Sequence, residues 1–122
     1  TQKSGRSITQ DLFSREDPPT AIFGGNNLVS VGALSALRQM AIKVPDEVAA
    51  VSFDDIPENL TINPFMTVIA QPPYEIGQKA TQILISRIKE GEVEPEDFKE
   101  IIFPVKLIVR ESSGSKVDHP KK

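Results

Sequence analysis

VPDEVAAVSFDDIPEN, residues 44 to 59, runs from a Val-Pro break through Val48, Ala49, Ala50, Val51 and Phe53 into two adjacent carboxylates, Asp54 and Asp55. An apolar run without polar alternation is the pattern of a strand covered on both faces, so it predicts the middle of a parallel sheet rather than a half-wet hairpin. In such sheets ligands gather beyond the carboxyl ends of the strands, which is where Asp54 falls. The same two acids are ordinary material for beginning a loop or capping the next turn, and the stretch alone leaves both readings open.

Working outward, the pattern alternates strand and helix. Gly5 to Arg15 carries a short amphipathic pattern at Ile8, Leu12 and Phe13, which Pro18 and Pro19 end. TAIF, residues 20 to 23, reads as a strand leading into Gly24, Gly25, Asn26 and Asn27. From Leu28 to Met40 the positions Val29, Ala33, Ala36, Leu37 and Met40 recur at helical spacing, with Asn26 or Asn27 as N-cap. Residues 20 to 53 therefore form one strand, helix, strand unit of the right length for a crossover. Downstream, Pro57 to Ile62 is compatible with a turn of helix and Thr67 to Ala70 with a third strand ending at Gln71-Pro72-Pro73. Tyr74 to Lys89 carries a second strongly periodic helix, closed by Gly91. KEGEVEPEDFKE, residues 89 to 100, reads as a solvated acidic connection. IIFPVKLIV, residues 101 to 109, reads as a strand pair or one bent strand, because Pro104 removes a ladder donor, and the polar tail from Ser112 to Lys122 reads as disordered.

Composition limits the chemistry. With 122 residues, 39% hydrophobic and 25% charged, the chain is one domain's worth of globular sequence. It offers no long apolar span, and its polar start, TQKSGRSITQDLF, lacks the apolar core of a signal peptide, so the expectation is a cytoplasmic protein without membrane contact. The absence of cysteine excludes disulfides, thiolate metal sites and cysteine nucleophiles. The single histidine, His119, lies in the tail, which argues against a hydrolase triad or a histidine metal site. A net charge of −3 argues against a nucleic-acid surface on this segment. Neither an enzyme, a cofactor nor a bound metal is expected. Gly24-Gly25 between a strand and a helix serves either a tight turn or close approach of a ligand to the backbone, and neither GxxxxGK[ST] nor GxGxxG is present.

What the strand ends share is hydrogen-bonding side chains. Asn26 follows the first strand, Asp54 ends the second and Gln71 ends the third, so three strands deliver one such group each to the same edge of the sheet. A carboxylate accepts from two neighbouring hydroxyls at once, whereas Asn and Gln both donate and accept. The trio suits a neutral polyol such as a sugar better than a metal or an electrophile.

PTAIF followed by Asn26, then GALSALR at 32 to 38, VPDEVAAV at 44 to 51, FDD at 53 to 55, and TVIAQPP followed by IGQKA resemble, in this order, the effector-binding core of the LacI/GalR family of bacterial transcription regulators. The resemblance runs from residue 19 to about 110. It implies an α/β, parallel-sheet, periplasmic-binding-protein-like fold (type I), present in part and mainly as its C-terminal subdomain. By that resemblance residues 1-73 belong to the C-terminal subdomain, 74-103 to the N-terminal subdomain, 104-111 to a return strand and 112-122 to the tail. It implies ligand contacts at Asn26, Asp54 and Gln71. It also implies a homodimer formed through Val31, Leu60, Ile62 and Phe65. The sequence departs from the family pattern where Asn27 stands in place of the usual Asp, and where Ala41 and Ser52 replace common glycines.

The function implied is the sensing of a small-molecule effector, a sugar or something like one. Binding would shift subdomain orientation and so the DNA affinity of the intact repressor. DNA contact would belong to an N-terminal helix-turn-helix that these residues do not include. A transport-type periplasmic sugar-binding protein, and a magnesium-dependent phosphoacceptor domain built on Asp54 and Asp55, are the alternatives that the sequence leaves open.

Overall fold

The computed structural model describes residues 1–55, 65–90 and 100–114. Thr1 starts the first helix, α1 (Gln2–Phe13), by accepting the Ser4 N–H at 3.1 Å. Strand β1 (Ala21–Gly24) leads into α2 (Asn27–Gln39), whose N-cap is Asn26. Strand β2 (Ala49–Phe53), strand β3 (Thr67–Ala70), α3 (Pro73–Glu90), strand β4 (Lys106–Ile108) and a 3-10 turn at Glu111–Ser113 follow. Pro73 opens α3 at the first helical position, where an N–H would have no acceptor within the helix. The chain divides into two compact units, Thr1–Ala70 with Leu107–Lys122, and Gln71–Lys106.

The strands form one sheet in the order β1-β2-β3-β4. β1 and β2 are parallel with Gly24 opposite Ser52, and β2 and β3 are parallel with Phe53 opposite Ile69. The strand, helix, strand reading of residues 20 to 53 is therefore a β-α-β unit with its strands adjacent. Burial along β2 alternates: Ala50 and Ser52 are fully buried, while Ala49, Val51 and Phe53 are half-buried. The continuous apolar run thus has one sealed face and one partly covered face. Two clusters make the core of the first unit, one of Phe13, Leu37 and Val48, the other of Ala50, Met66 and Val68.

The C-terminus of α2 explains how an alanine stands at a place suited to glycine. Ala41 takes φ 57, the Ile42 N–H reaches the Leu37 carbonyl at 2.9 Å and the Ala41 N–H reaches the Arg38 carbonyl at 3.2 Å, the two bonds of a Schellman end. Ile42 then packs on the cluster that contains Leu37.

Three local expectations change. α1 buries Gly5, Thr9 and Phe13, and Ile8 is exposed. Its contact with α2 combines the packing of Phe13 on Leu37 with close approach at two glycines: a Cβ on Gly5 would collide with the Val29 carbonyl, and one on Gly32 with the Gln2 carbonyl. Residues 101 to 105 are not strand, and only Lys106–Ile108 join the sheet, beyond the proline that lacks a ladder donor. The expected disorder from Ser112 onward does not hold for its first residues. Ser112 is fully buried, accepts the Thr67 N–H at 2.8 Å and donates to the Ala50 carbonyl at 2.6 Å, joining β2 to the start of β3.

In the second unit, α3 leaves its apolar stripe largely uncovered. Ile76 and Ile83 are half-buried, whereas Ala80, Leu84 and Ile88 are exposed. The helical turn expected at Pro57 to Ile62, most of the acidic connection, and the tail from Ser115 with His119 lie outside the described residues.

Candidate functional site at the strand ends

The two acids at the end of β2 have separate roles. Asp55 is held by Arg110 through a two-pronged ion pair, Nη1 to Oδ1 at 2.7 Å and Nη2 to Oδ2 at 2.6 Å. The planar guanidinium matches both carboxylate oxygens at once, a geometry that lysine cannot supply. The hydrogen bond from Arg110 to Asp55 is the main reason that the guanidinium pKa is raised, with the charge of Asp55 adding to it and burial opposing it. Arg110 is itself anchored: Nη1 donates to the Met66 carbonyl at 2.9 Å, and its N–H donates to Thr67 Oγ1 at 2.8 Å. Asp55 is therefore a structural tie between the end of β2 and the segment that follows β4.

Asp54 is the residue at which the strand turns. Its N–H still completes the ladder by donating to the Ile69 carbonyl at 3.0 Å, but its φ of 65 lies in the left-handed region, which aspartate tolerates better than most side chains. The opening apolar run thus ends in a pair of acids because one closes the fold and the other turns the chain at the carboxyl edge of the sheet.

Asn26 lies just beyond β1. Its Oδ1 accepts the Val29 N–H at 2.9 Å, so half of its amide caps α2. Asn27 donates from Nδ2 to the Asp55 carbonyl at 3.2 Å, a bond that an aspartate in its place could not make. Asn26 and Asp54 are brought to adjacent strand ends of the first unit. Gln71 follows β3 directly and opens the second unit.

Of the residues expected at a dimer interface, Val31 and Phe65 are both half-buried and line one groove of about 840 Å³ on the α2 side, with Leu34, Arg38, Ile42 and Lys43. Asn26 and Asp54 do not line it. Leu60 and Ile62 lie outside the described residues. Among the described residues, no three of His, Cys, Asp and Glu gather as a metal site. With the Asp55 carboxylate taken up by Arg110, the acid pair does not form the paired oxygen cluster that a magnesium-dependent phosphoacceptor needs.

Sequence reasoning did not find Arg110, Thr67, Ser112, Ser30 or Ser52. Each acts over a long sequence separation or through a small hydroxyl, and neither leaves a periodic trace. The one available signal was Arg110 standing just after an apolar stretch, where a lone cation entering the fold needs a carboxylate.

The chain matches the model of the periplasmic binding protein-like domain over residues 2–113. It is 35% identical over 89 residues to the HTH-type transcriptional repressor CytR of Escherichia coli, covering 73% of this chain and 26% of that protein. Its structure is similar to that of a LacI transcriptional regulator from Bacillus cereus, with TM-score 0.79 and 29% identity, covering 92% of this chain and 39% of that one. A LacI family regulator from Enterococcus faecium with bound ribose gives TM-score 0.76 and 26% identity, covering 93% of this chain and 40% of that one. The chain thus spans well under half the length of the proteins it matches. From its turn at Asp54 to its parallel sheet, this chain belongs to the periplasmic-binding-protein-like domain family, in the form carried by LacI/GalR-type transcriptional regulators.

Proposed function

We propose that the chain is the effector-sensing part of a LacI/GalR-type repressor and that it takes a neutral sugar or a sugar-like molecule at the carboxyl ends of β1, β2 and β3. Asp54 supplies charge-assisted acceptors for neighbouring hydroxyls, and Asn26 and Gln71 supply groups that donate as well as accept. The observation that carries this reading is the succession of Asn26, Asp54 and Gln71 after three adjacent parallel strands, in a chain similar to a ribose-bound regulator. The intact protein would act in the cytoplasm as a dimer that binds DNA through a separate helix-turn-helix. The curated relative CytR, itself a transcriptional repressor, favours this over a transport protein.

Calorimetry of the full-length protein with a panel of neutral sugars that includes ribose tests the assignment. Asp54→Asn weakens binding by about 1.5 to 3 kcal/mol, because neutral hydrogen bonds replace charge-assisted ones. Asp55→Asn lowers stability by disturbing Arg110 and leaves binding the less affected of the two. Equal losses, or a larger loss at Asp55, would overturn the reading. Val31→Asp places like charges across a two-fold interface and yields monomer in analytical ultracentrifugation. An unchanged dimer would remove α2 from the interface.

A further inference from the structure

A buried pair of serines joins the start of α2 to the end of β2. Ser30 and Ser52 are almost fully buried, and their hydroxyl oxygens lie 2.7 Å apart. On one side, Ser30 Oγ lies 2.8 Å from the Asn26 carbonyl. On the other, Ser52 Oγ lies 2.9 Å from the Phe53 carbonyl and 3.4 Å from that of Asp54. Gly24, opposite Ser52 in the sheet, makes the approach possible: a Cβ there would occupy the place of the Ser30 hydroxyl.

Each hydroxyl has a single proton, so two protons serve the three shortest of these contacts. The chain of hydroxyls runs either from Ser52 through Ser30 to the Asn26 carbonyl, or from Ser30 through Ser52 to the Phe53 carbonyl. The central bond is made in both arrangements. Asn27 adds a second tie across the same seam through the Asp55 carbonyl.

From this geometry we infer that Ser30 and Ser52 are positioning residues that fix the separation between Asn26 and Asp54, and so the spacing of hydroxyls that the site accepts. The inference rests on the sugar-binding reading for its consequence, but the bridge can be tested without a ligand. Neither serine is placed against the effector. They act through the cap of α2 and through the left-handed turn at Asp54, and a site held this way discriminates by spacing because its groups cannot drift apart to suit a different ligand.

Amide hydrogen exchange on the full-length protein separates positioning from packing. The reporters are the Val29 amide, bonded to Asn26 Oδ1, and the Asp54 amide, bonded to the Ile69 carbonyl. In Ser52→Ala and in Ser30→Ala both exchange about fivefold faster, the loss of one buried hydrogen bond, while the Leu37 amide, in the last turn of α2, is unchanged. The double variant is no faster than the faster single one, because either substitution breaks the same bridge. Equal acceleration at Leu37, additive effects, or unchanged Val29 and Asp54 would each overturn the inference. Calorimetry with ribose, glucose and sucrose gives the second readout: Ser52→Ala weakens about fivefold whichever sugar the unsubstituted protein binds. Unchanged affinity alongside faster exchange would also overturn it. If the unsubstituted protein binds none of the three while the exchange pattern is as expected, the sugar reading fails and the bridge stands.

Discussion

α2 and α3 carry the same kind of amphipathic pattern with different outcomes. α2 buries Ala33, Ala36 and Leu37, and Phe13 and Val48 pack with Leu37. α3 has no fully buried side chain among residues 73 to 89: Leu84 is 59% exposed and Ile88 73%. Periodicity states which face of a helix requires cover, and nothing in it states whether the same stretch of chain provides that cover. The first unit does so for α2 through α1 and the approach to β2, by way of Phe13 and Val48, while Ser112 and Arg110 close onto β3 from the other end of the sequence. Among the described residues, none of the buried hydrophobic residues that form the core comes from the second unit.

The contrast is open to attack by substitution. Leu37→Ala in this chain lowers the unfolding free energy in urea by about 3 kcal/mol, the usual cost of emptying a sealed leucine site, whereas Leu84→Ala changes it by less than about 0.5 kcal/mol. Similar costs for the two would mean that α3 is as well packed as α2. Hydrogen exchange sharpens the same point: amides in the middle of α2 are protected on the order of a hundredfold more than those in the middle of α3. Equal protection would show that α3 is covered in solution.

Arg110→Met retains much of the aliphatic stem and removes the clamp on Asp55, so it lowers stability by about 2 kcal/mol, the range for hydrogen bonds to a charged group. The loss falls on the first unit, and exchange in α3 is unaffected. A drop in α3 protection would tie the two regions together energetically. The smallest effect has the opposite sign. Ala41→Gly relieves a left-handed alanine and raises the denaturation midpoint, with a gain of up to about 1 kcal/mol after the greater freedom of glycine in the unfolded chain is offset. A loss of stability would mean that the Ala41 methyl group is more useful than its backbone is strained.

The sequence made the regular elements legible and much of the stitching illegible. α2, β3 and α3 lie within a residue of the spans their patterns predicted, since an Asn cap, helical spacing of apolar residues and prolines at a strand-to-helix junction are all local signals. Asn26 and Asp54 were legible because their place follows from where strands end. The separate fates of Asp54 and Asp55 were not, because a partner 55 residues away decides them. Ser112 reads as tail for a related reason. A small polar residue that completes a sheet ladder is chemically the same as one in a disordered terminus, and only its partners distinguish the two. On α1 the pattern places Phe13 and Leu12 at the core but also Ile8, which is exposed, because hydrophobicity weights Ile8 and disregards Gly5 and Gly32, whose contribution is the absence of a side chain.

Gly5 and Gly32 have a consequence for how such a sequence can change over time. Each lets the backbone of one helix rest against a carbonyl of the other, and the positions are reciprocal across a single contact. A side chain at either would wedge the helices apart and open the cluster of Phe13 and Leu37 beneath them. A substitution elsewhere in the core can be answered by a neighbour of complementary volume, but a collision with a carbonyl has no side chain opposite that could shrink in reply. Neither site can therefore take a larger residue in a single step while the two helices stay this close.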